Sequence, residues 1–164
     1  MLDSCTTAQE RWGGVNQLID RWLAERKQLI LQYSTLRDRA IPVEQPDLAL
    51  DSFCDILVDY VSAGHFEVYE QLMREAEAFN DTRGLELARQ VYPRIETITQ
   101  SAVAFNDAYG EADVELDETT MQTELRMLGA LLHERFELED CLIEVLHNAH
   151  QHLITANEPQ GALT

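Results

Sequence analysis

Cysteine is scarce in this 164-residue sequence, and long apolar runs are absent from it. Its cysteines, Cys5, Cys54 and Cys141, lie far apart and form no Cys-x-x-Cys pair, so neither a disulfide framework nor a zinc ribbon is predicted. No segment approaches the roughly 18 consecutive apolar residues of a membrane span, and the N-terminus lacks the basic start and apolar run of a secretion signal. The sequence therefore predicts a cytoplasmic protein that does not enter a membrane.

Basic residues are also few, because 12 lysines and arginines stand against 30 aspartates and glutamates, for a formal charge of -18. This balance argues against direct binding to DNA or RNA, since lysine and arginine are what neutralise phosphates. A surface of this sign attracts basic proteins instead. The plain alternative is that the excess charge only keeps the chain soluble.

Enzyme signatures are missing as well. The sequence contains no Gly-x-Gly-x-x-Gly, no P-loop, no nucleophile elbow and no cysteine with an evident histidine and asparagine arrangement. Carboxylates are so numerous that any choice of an acid and base pair would be arbitrary. We therefore predict no catalytic residues, no cofactor and no enzymatic activity.

A metal site is not predicted either. The one Glu-x-x-His motif, Glu144 to His147, falls short of the two such motifs that a carboxylate-bridged di-iron bundle requires. His147, His150 and His152 lie in the last turns of a predicted helix, where we expect them to complement the helix dipole or to face solvent. A metal-binding helical bundle remains an alternative.

Apolar residues do recur every three or four positions in four segments, and no segment alternates convincingly with the period of a strand. The first predicted helix spans residues 6–36, and the second begins at residue 47 and ends at a turn over residues 80–84. The third spans residues 84–109 and the fourth residues 117–154. Four amphipathic helices with short connections predict an all-α fold, a single four-helix bundle of long antiparallel helices over residues 1–155, followed by a disordered tail at 156–164. Gly64, inside the second helix, indicates close helix approach or a local distortion.

The second predicted helix has two opposed faces. Its core face carries Leu50, Phe53, Cys54, Leu57, Val61, Val68 and Leu72. The opposite stripe, which we call the acidic stripe, carries Asp51, Asp55, Asp59, Ser62, Phe66 and Glu70. An aromatic side chain ringed by carboxylates is typical of an interface anchor with a charged rim, which predicts a basic partner. The alternative is that a neighbouring helix or the loop around Pro42 to Pro46 buries Phe66.

Three stretches, residues 11–26 (RWGGVNQLIDRWLAER), 53–70 (FCDILVDYVSAGHFEVYE) and 134–143 (ERFELEDCLI), resemble the Rsd/AlgQ family of bacterial regulators, more closely its AlgQ type. The resemblance spans nearly the whole chain. It implies an all-helical anti-sigma factor that binds the primary sigma factor of RNA polymerase, mainly the basic helix-turn-helix region 4, and sequesters it from core enzyme and the -35 element.

The functional positions of that family match Asp59, Ser62 and Phe66, and the acidic stripe adds Asp55 and Glu70 as predicted partner-binding residues. Two other readings stay open. The same acidic face could serve an adaptor for another basic cytoplasmic protein. The first and last stretches could also owe their residues to a polar network between helices, formed by Asp20, Arg21, Arg26, Glu139 and Asp140.

Overall fold

The computed structural model describes residues 8–38, 46–110 and 117–157, and within these ranges it contains helices and no strand. Helix α1 spans Ala8–Asp38. Helix α2 joins α-helical Pro46–Ala63, a π-helical turn at Gly64–Val68 and α-helical Tyr69–Ala78. Helix α3 spans Thr82–Tyr109, and α4 joins α-helical Glu118–Ile143, a π-helical turn at Glu144–Asn148 and α-helical Ala149–Asn157. The predicted all-α fold with four long helices is confirmed.

The ends of the helices follow from their capping residues. The Asp81 carboxylate accepts a hydrogen bond of 2.9 Å from the Gly84 N–H, so α3 begins slightly before its predicted start. Asn80 takes a positive φ of 56° in the turn between α2 and α3, a conformation that asparagine tolerates. The Asp117 carboxylate caps α4 by accepting hydrogen bonds of 3.2 Å from the Thr119 N–H and 2.8 Å from the Thr120 hydroxyl.

The disordered tail predicted for residues 156–164 stays a prediction. Helix α4 continues through Asn157, so the first two residues of the segment 156–164 are helical. The rest of that segment, 158–164, lies outside the described residues.

Pairs of contacting side chains run in opposite order along neighbouring helices, which makes those neighbours antiparallel. Hydrogen bonds join α1 to α2 through Arg11 with Gln71, Trp22 with Tyr60, and Gln32 with Ser52. Contacts between α1 and α4 join Trp12 with His147, Arg26 with Asp140, and Leu36 with Gln122. Arg94 and Tyr109 of α3 bond Glu134 and Glu124 of α4, so α3 and α4 are antiparallel too, and the bundle is an up-down-up-down arrangement, as short connections favour.

The core lies on the inner faces of all four helices. The predicted core face of α2 is buried throughout, and Phe53, Cys54 and Leu57 are completely inaccessible to solvent. Burial of one such leucine or phenylalanine stabilises the fold by about 1.5–3 kcal/mol relative to exposure. None of the described helices combines the length and the apolar character needed to cross a membrane.

Candidate partner-binding surface

The acidic stripe lies on the outer face of α2, as predicted. Asp55, Asp59 and Glu70 are exposed, and Ser62 is half-buried. Phe66 has the highest exposure among the large apolar side chains that the structure describes, at 69%. The alternative in which a neighbouring helix buries Phe66 is therefore wrong. The role of these residues in binding a partner stays a prediction.

The exposed Phe66 ring contacts His65, which is in turn bonded to Tyr92. The Phe66 ring meets the His65 ring edge to face, with centroids 4.8 Å apart and planes at 83°. His65 Nδ1 shares a hydrogen bond of 2.9 Å with Tyr92 Oη on α3. Burial raises the pKa of Tyr92, and nearby Glu96 raises it further, so the hydroxyl remains protonated at neutral pH. The side chain that contacts the exposed ring, His65, is thus held in position by its hydrogen bond to α3.

His65 and Phe66 both belong to the π-helical turn of α2, a type of distortion that is often found at functional sites. The turn starts at Gly64, which packs tightly inside the bundle. A Cβ atom at Gly64 would lie 2.9 Å from Trp22 Cζ2 and 3.3 Å from Arg135 Nη2. Close helix approach and a local distortion, the two predicted roles of Gly64, are both confirmed.

A buried polar cluster, the Arg cluster, lies under this turn and consists of Arg26, Tyr60, Tyr69, Arg135 and Glu139. The Glu139 carboxylate accepts hydrogen bonds of 3.0 Å from Tyr60 Oη and 2.9 Å from Tyr69 Oη. Arg26 Nε donates to Tyr60 Oη at 3.0 Å, and Arg135 Nη1 lies 3.7 Å from Glu139 Oε2. Burial raises the pKa of Glu139, and Arg135 and Arg26 offset that effect only in part.

The Arg cluster confirms part of the predicted polar network. Arg26 and Glu139 belong to it, and Arg26 also donates to Asp140 Oδ1 at 2.6 Å. Asp20 and Arg21 are exposed on α1 and do not join it. The stretches around Arg26 and Glu139 therefore have a structural role, while the acidic stripe stands outside this network.

A second buried polar cluster, the His cluster, corrects the expectation for two histidines. It consists of Asn16, Glu75, Asp81, His147 and His150. The two imidazoles are 1% and 2% exposed, so neither faces solvent. Glu75 lies 2.6 Å from His147 Nδ1 and 2.7 Å from His150 Nδ1, while Asp81 lies 2.8 Å from His150 Nε2 and Asn16 3.0 Å from His147 Nε2.

The partners of His150 determine its charge. Both of its ring nitrogens face carboxylate oxygens, so both must carry a proton and the ring is an imidazolium. Burial lowers the pKa of His150, but the hydrogen bonds to Glu75 and Asp81 outweigh burial and raise it. Each imidazole nitrogen of the cluster is thus occupied by an oxygen. Across the described part of the chain, no group of three or more histidine, cysteine or acidic side chains is arranged to hold a metal ion.

A groove of about 540 Å³ runs along one side of Phe66, between α2, α3 and α4. Its walls are mainly apolar and include Tyr69, Met73, Tyr92 and Leu142. Pockets of this size and character commonly receive apolar groups of a ligand or partner. This face therefore combines the exposed Phe66 side chain with an adjacent apolar groove, a combination that suits an interface with a partner.

Negative charge is concentrated near the stripe. Burial raises the pKa of Glu25 on α1, and Asp59 and Glu67 on α2 raise it further. Carboxylates from two helices therefore repel one another at this place on the surface. A cationic partner would relieve that repulsion.

Comparison with known proteins places the chain in a family. The sequence profile described as "Regulator of RNA polymerase sigma(70) subunit, Rsd/AlgQ" matches residues 1–147. The chain is 36% identical to the regulator of sigma D of Yersinia enterocolitica serotype O:8 / biotype 1B over 151 residues, 88% of this chain and 89% of the relative. It is 39% identical to the regulator of sigma D of Enterobacter sp. (strain 638) over 148 residues, 87% of this chain and 88% of the relative.

These matches confirm the resemblance carried by the three sequence stretches, whereas assignment to the AlgQ type stays a prediction. The chain belongs to the Rsd/AlgQ family of regulators of the RNA polymerase sigma(70) subunit.

Proposed function

We propose that this protein is a cytoplasmic anti-sigma factor that binds the primary sigma factor through region 4 and withholds it from core enzyme and from the -35 element. One observation carries the proposal most directly: the Phe66 side chain is 69% exposed within the acidic stripe, and it packs against His65, which is bonded to Tyr92. The family to which the chain belongs supports a role in regulating sigma.

Charge provides the first step of the proposed mechanism. Region 4 is basic because it contacts DNA phosphates, and a surface with a formal charge of -18 attracts it over about a Debye length. Asp55, Asp59 and Glu70 would meet lysines and arginines that otherwise face phosphates. Such exposed pairs speed association and give it a salt dependence more than they add affinity.

Phe66 provides most of the affinity in this mechanism. Its ring would enter an apolar recess on region 4, while the half-buried Ser62 hydroxyl exchanges a hydrogen bond at the rim. Interface anchors of this kind are aromatic, central and surrounded by groups that exclude water. Region 4 held in this way cannot contact promoter DNA with the same basic surface.

Calorimetric titration with purified region 4 tests the proposal. We expect tight binding at low salt, weaker binding at high salt, and a loss of about 30-fold or more in affinity for Phe66→Ala, which corresponds to about 2 kcal/mol. Met127→Ala is the matched control, because Met127 is an apolar side chain on α4 with 64% exposure. Its affinity should equal that of the wild type.

Two results would contradict the proposal. A correctly folded wild type that fails to bind region 4 at either salt concentration would remove region 4 as the target. Unchanged binding by a folded Phe66→Ala variant would remove the stripe as the site. A competition assay, in which core enzyme and this protein compete for full-length sigma, then tests sequestration itself.

A further inference from the structure

A second groove lies on the other side of Phe66, between α2 and α3, and has a volume of about 390 Å³. Helix α2 contributes Val61, Ser62, His65 and Phe66 to it. Helix α3 contributes Glu96, Thr99, Gln100, Val103, Ala104 and Asp107. The α3 residues recur at helical spacing, so they form one continuous face that is about 16 Å long at 1.5 Å per residue.

The walls of this groove are mainly apolar, with Thr99 and Gln100 as polar residues between its ends, and the groove is acidic at both ends. Val103 is 42% exposed and stands across the groove from the exposed Phe66 ring. Glu96 and Asp107 are exposed at opposite ends of the α3 face, and neither forms an ion pair with a described residue. Asp107 also lies in the last turn of α3, where the helix dipole is negative. Among the residues that the structure describes, no lysine or arginine lines the groove.

We propose that this groove holds one amphipathic, basic helix of the partner, about three turns long. Apolar side chains on one face of that helix pack over Phe66 and Val103, and its lysines or arginines reach Glu96 and Asp107. A length of about 16 Å corresponds to 11 residues of helix, which places basic residues three turns apart opposite the two carboxylates. Helix α3 is then the second half of the binding surface, beside the stripe of α2.

Charge disfavours the other occupants. A nucleic acid would be repelled by the carboxylates of the groove and of the stripe. A second copy of this chain carries the same charge of -18 and would be repelled as well. The assignment of the bound helix to region 4 rests on the proposed function, whereas the chemistry of the helix rests on the groove.

The first test measures affinity for region 4 with matched variants. We expect Glu96→Gln combined with Asp107→Asn to weaken binding by about 10-fold at low salt and to reduce its salt dependence. Glu118→Gln combined with Glu137→Gln, which removes two carboxylates from α4, should leave the affinity for region 4 and its salt dependence unchanged. Val103→Lys should weaken binding by more than 10-fold, since it places a cation in the groove, whereas Ile30→Lys on α1 should not, although Ile30 is also 42% exposed.

The second test does not depend on region 4. An 18-residue helical peptide of leucine and lysine is titrated into ¹⁵N-labelled protein, and amide chemical shifts are followed. We expect the largest changes at Thr99, Gln100 and Val103, and weaker binding by the Glu96→Gln and Asp107→Asn variant. Changes spread evenly over the acidic surface, or centred on another face, would overturn the groove as a helix-binding site.

The outcomes separate this inference from the proposed function. Region 4 that binds through Phe66 but is insensitive to Val103→Lys and to loss of the two α3 carboxylates would overturn the inference and leave the proposed function standing. Region 4 that does not bind would overturn the proposed function, and the peptide titration would then decide whether the groove accepts a basic helix from a different protein.

Discussion

The Arg cluster and the His cluster are built on the same plan and differ in their cations. In the Arg cluster a buried glutamate of α4, Glu139, accepts hydrogen bonds from α2, and in the His cluster a buried glutamate of α2, Glu75, faces two side chains of α4. Both glutamates are completely buried. The cations are the guanidinium groups of Arg26 and Arg135 in one cluster and the His150 imidazolium in the other.

Because of this difference, we expect the Arg cluster to be insensitive to pH and the His cluster to depend on it. Guanidinium groups stay charged at every pH at which the protein is folded, so the support beneath Phe66 keeps its cations. The His150 imidazolium loses its proton as the pH rises through its raised pKa, so the attachment of α4 to the turn between α2 and α3 depends on pH. The binding surface is thus placed over the cluster with the permanent cations.

The largest effect is expected where the Arg cluster loses its carboxylate. Glu139→Gln keeps the shape of the side chain but leaves the buried Arg135 guanidinium without its anion, which costs about 3–5 kcal/mol, while Arg26 keeps Asp140 as its partner. Urea unfolding should show this loss, whereas the exposed neighbour variant Glu137→Gln should change the free energy of unfolding by less than about 0.5 kcal/mol. Equal effects of the two substitutions would mean that Glu139 is not needed to balance the arginines.

A smaller effect is expected where the Arg cluster meets the π-helical turn. Gly64→Ala adds a Cβ atom 2.9 Å from the buried Trp22 ring and should destabilise the fold by about 1–3 kcal/mol. Gly13→Ala is the matched control inside α1, because nothing lies within 4 Å of its Cβ position, and it should stabilise by about 0.5–1 kcal/mol. Thermal unfolding measures both. A Gly64→Ala variant as stable as the wild type would mean that the turn adapts freely.

The His cluster should make stability depend on pH. The pKa of His150 is raised above its ordinary 6.5 in the folded state, so its contribution is complete below about pH 6.5 and is lost as the pH rises through the folded pKa. Asp81, whose pKa is lowered from 3.8, contributes above that value and loses its contribution as the pH falls through its folded pKa. The Tm of the wild type should therefore fall between pH 6 and pH 9.

His150→Gln should flatten that fall, and His133→Gln should not, since His133 is an exposed side chain paired with Glu137 on the surface. The groups that face His150 are Glu75 from α2, Asp81 from the turn and His147 on α4 through Glu75. A wild-type Tm that stays constant over this range would contradict the assignment of His150 as an imidazolium.

The smallest effect is expected on the surface side of α2. Asp59→Ala should change the Tm by less than the measurement resolves, because Asp59 is exposed and outside both clusters. Arg26→Ala should lower the Tm clearly, since Arg26 bonds both Tyr60 and Asp140. A destabilised Asp59→Ala variant would erase the distinction between a supporting cluster and a recognition stripe.

Much of this arrangement follows from apolar spacing. The four helices, the core face of α2 and the exposure of Phe66 all depend on the period of a helix, which the sequence displays directly. Arg26 and Glu139 were predicted as network partners because they adjoin apolar stripes. The sequence does not predict Tyr60 and Tyr69 as members of this network, because tyrosines on a core face look like ordinary core residues.

The His cluster could not be predicted in the same way. His147 and His150 lie in the last turns of a helix, a position that usually faces solvent, and Glu75 is one acidic residue among many on α2. Only tertiary packing brings the three together. The groove beside Val103 was missed for the same reason, because its α3 residues look like a solvent-facing stripe until α2 is placed beside them.

Each buried cluster also has its own tryptophan, and the chain has only two. Trp12 stacks on the His147 ring at 4.5 Å with planes 6° apart, and Trp22 stacks on the Tyr60 ring at 4.9 Å with planes 5° apart. Because each indole packs on a ring of one cluster, emission from Trp12 reports on the surroundings of the His cluster, and emission from Trp22 reports on those of the Arg cluster. The native chain therefore contains two separate optical probes, one near the C-terminal end of α2 and one at its middle, which single Trp→Phe substitutions can resolve.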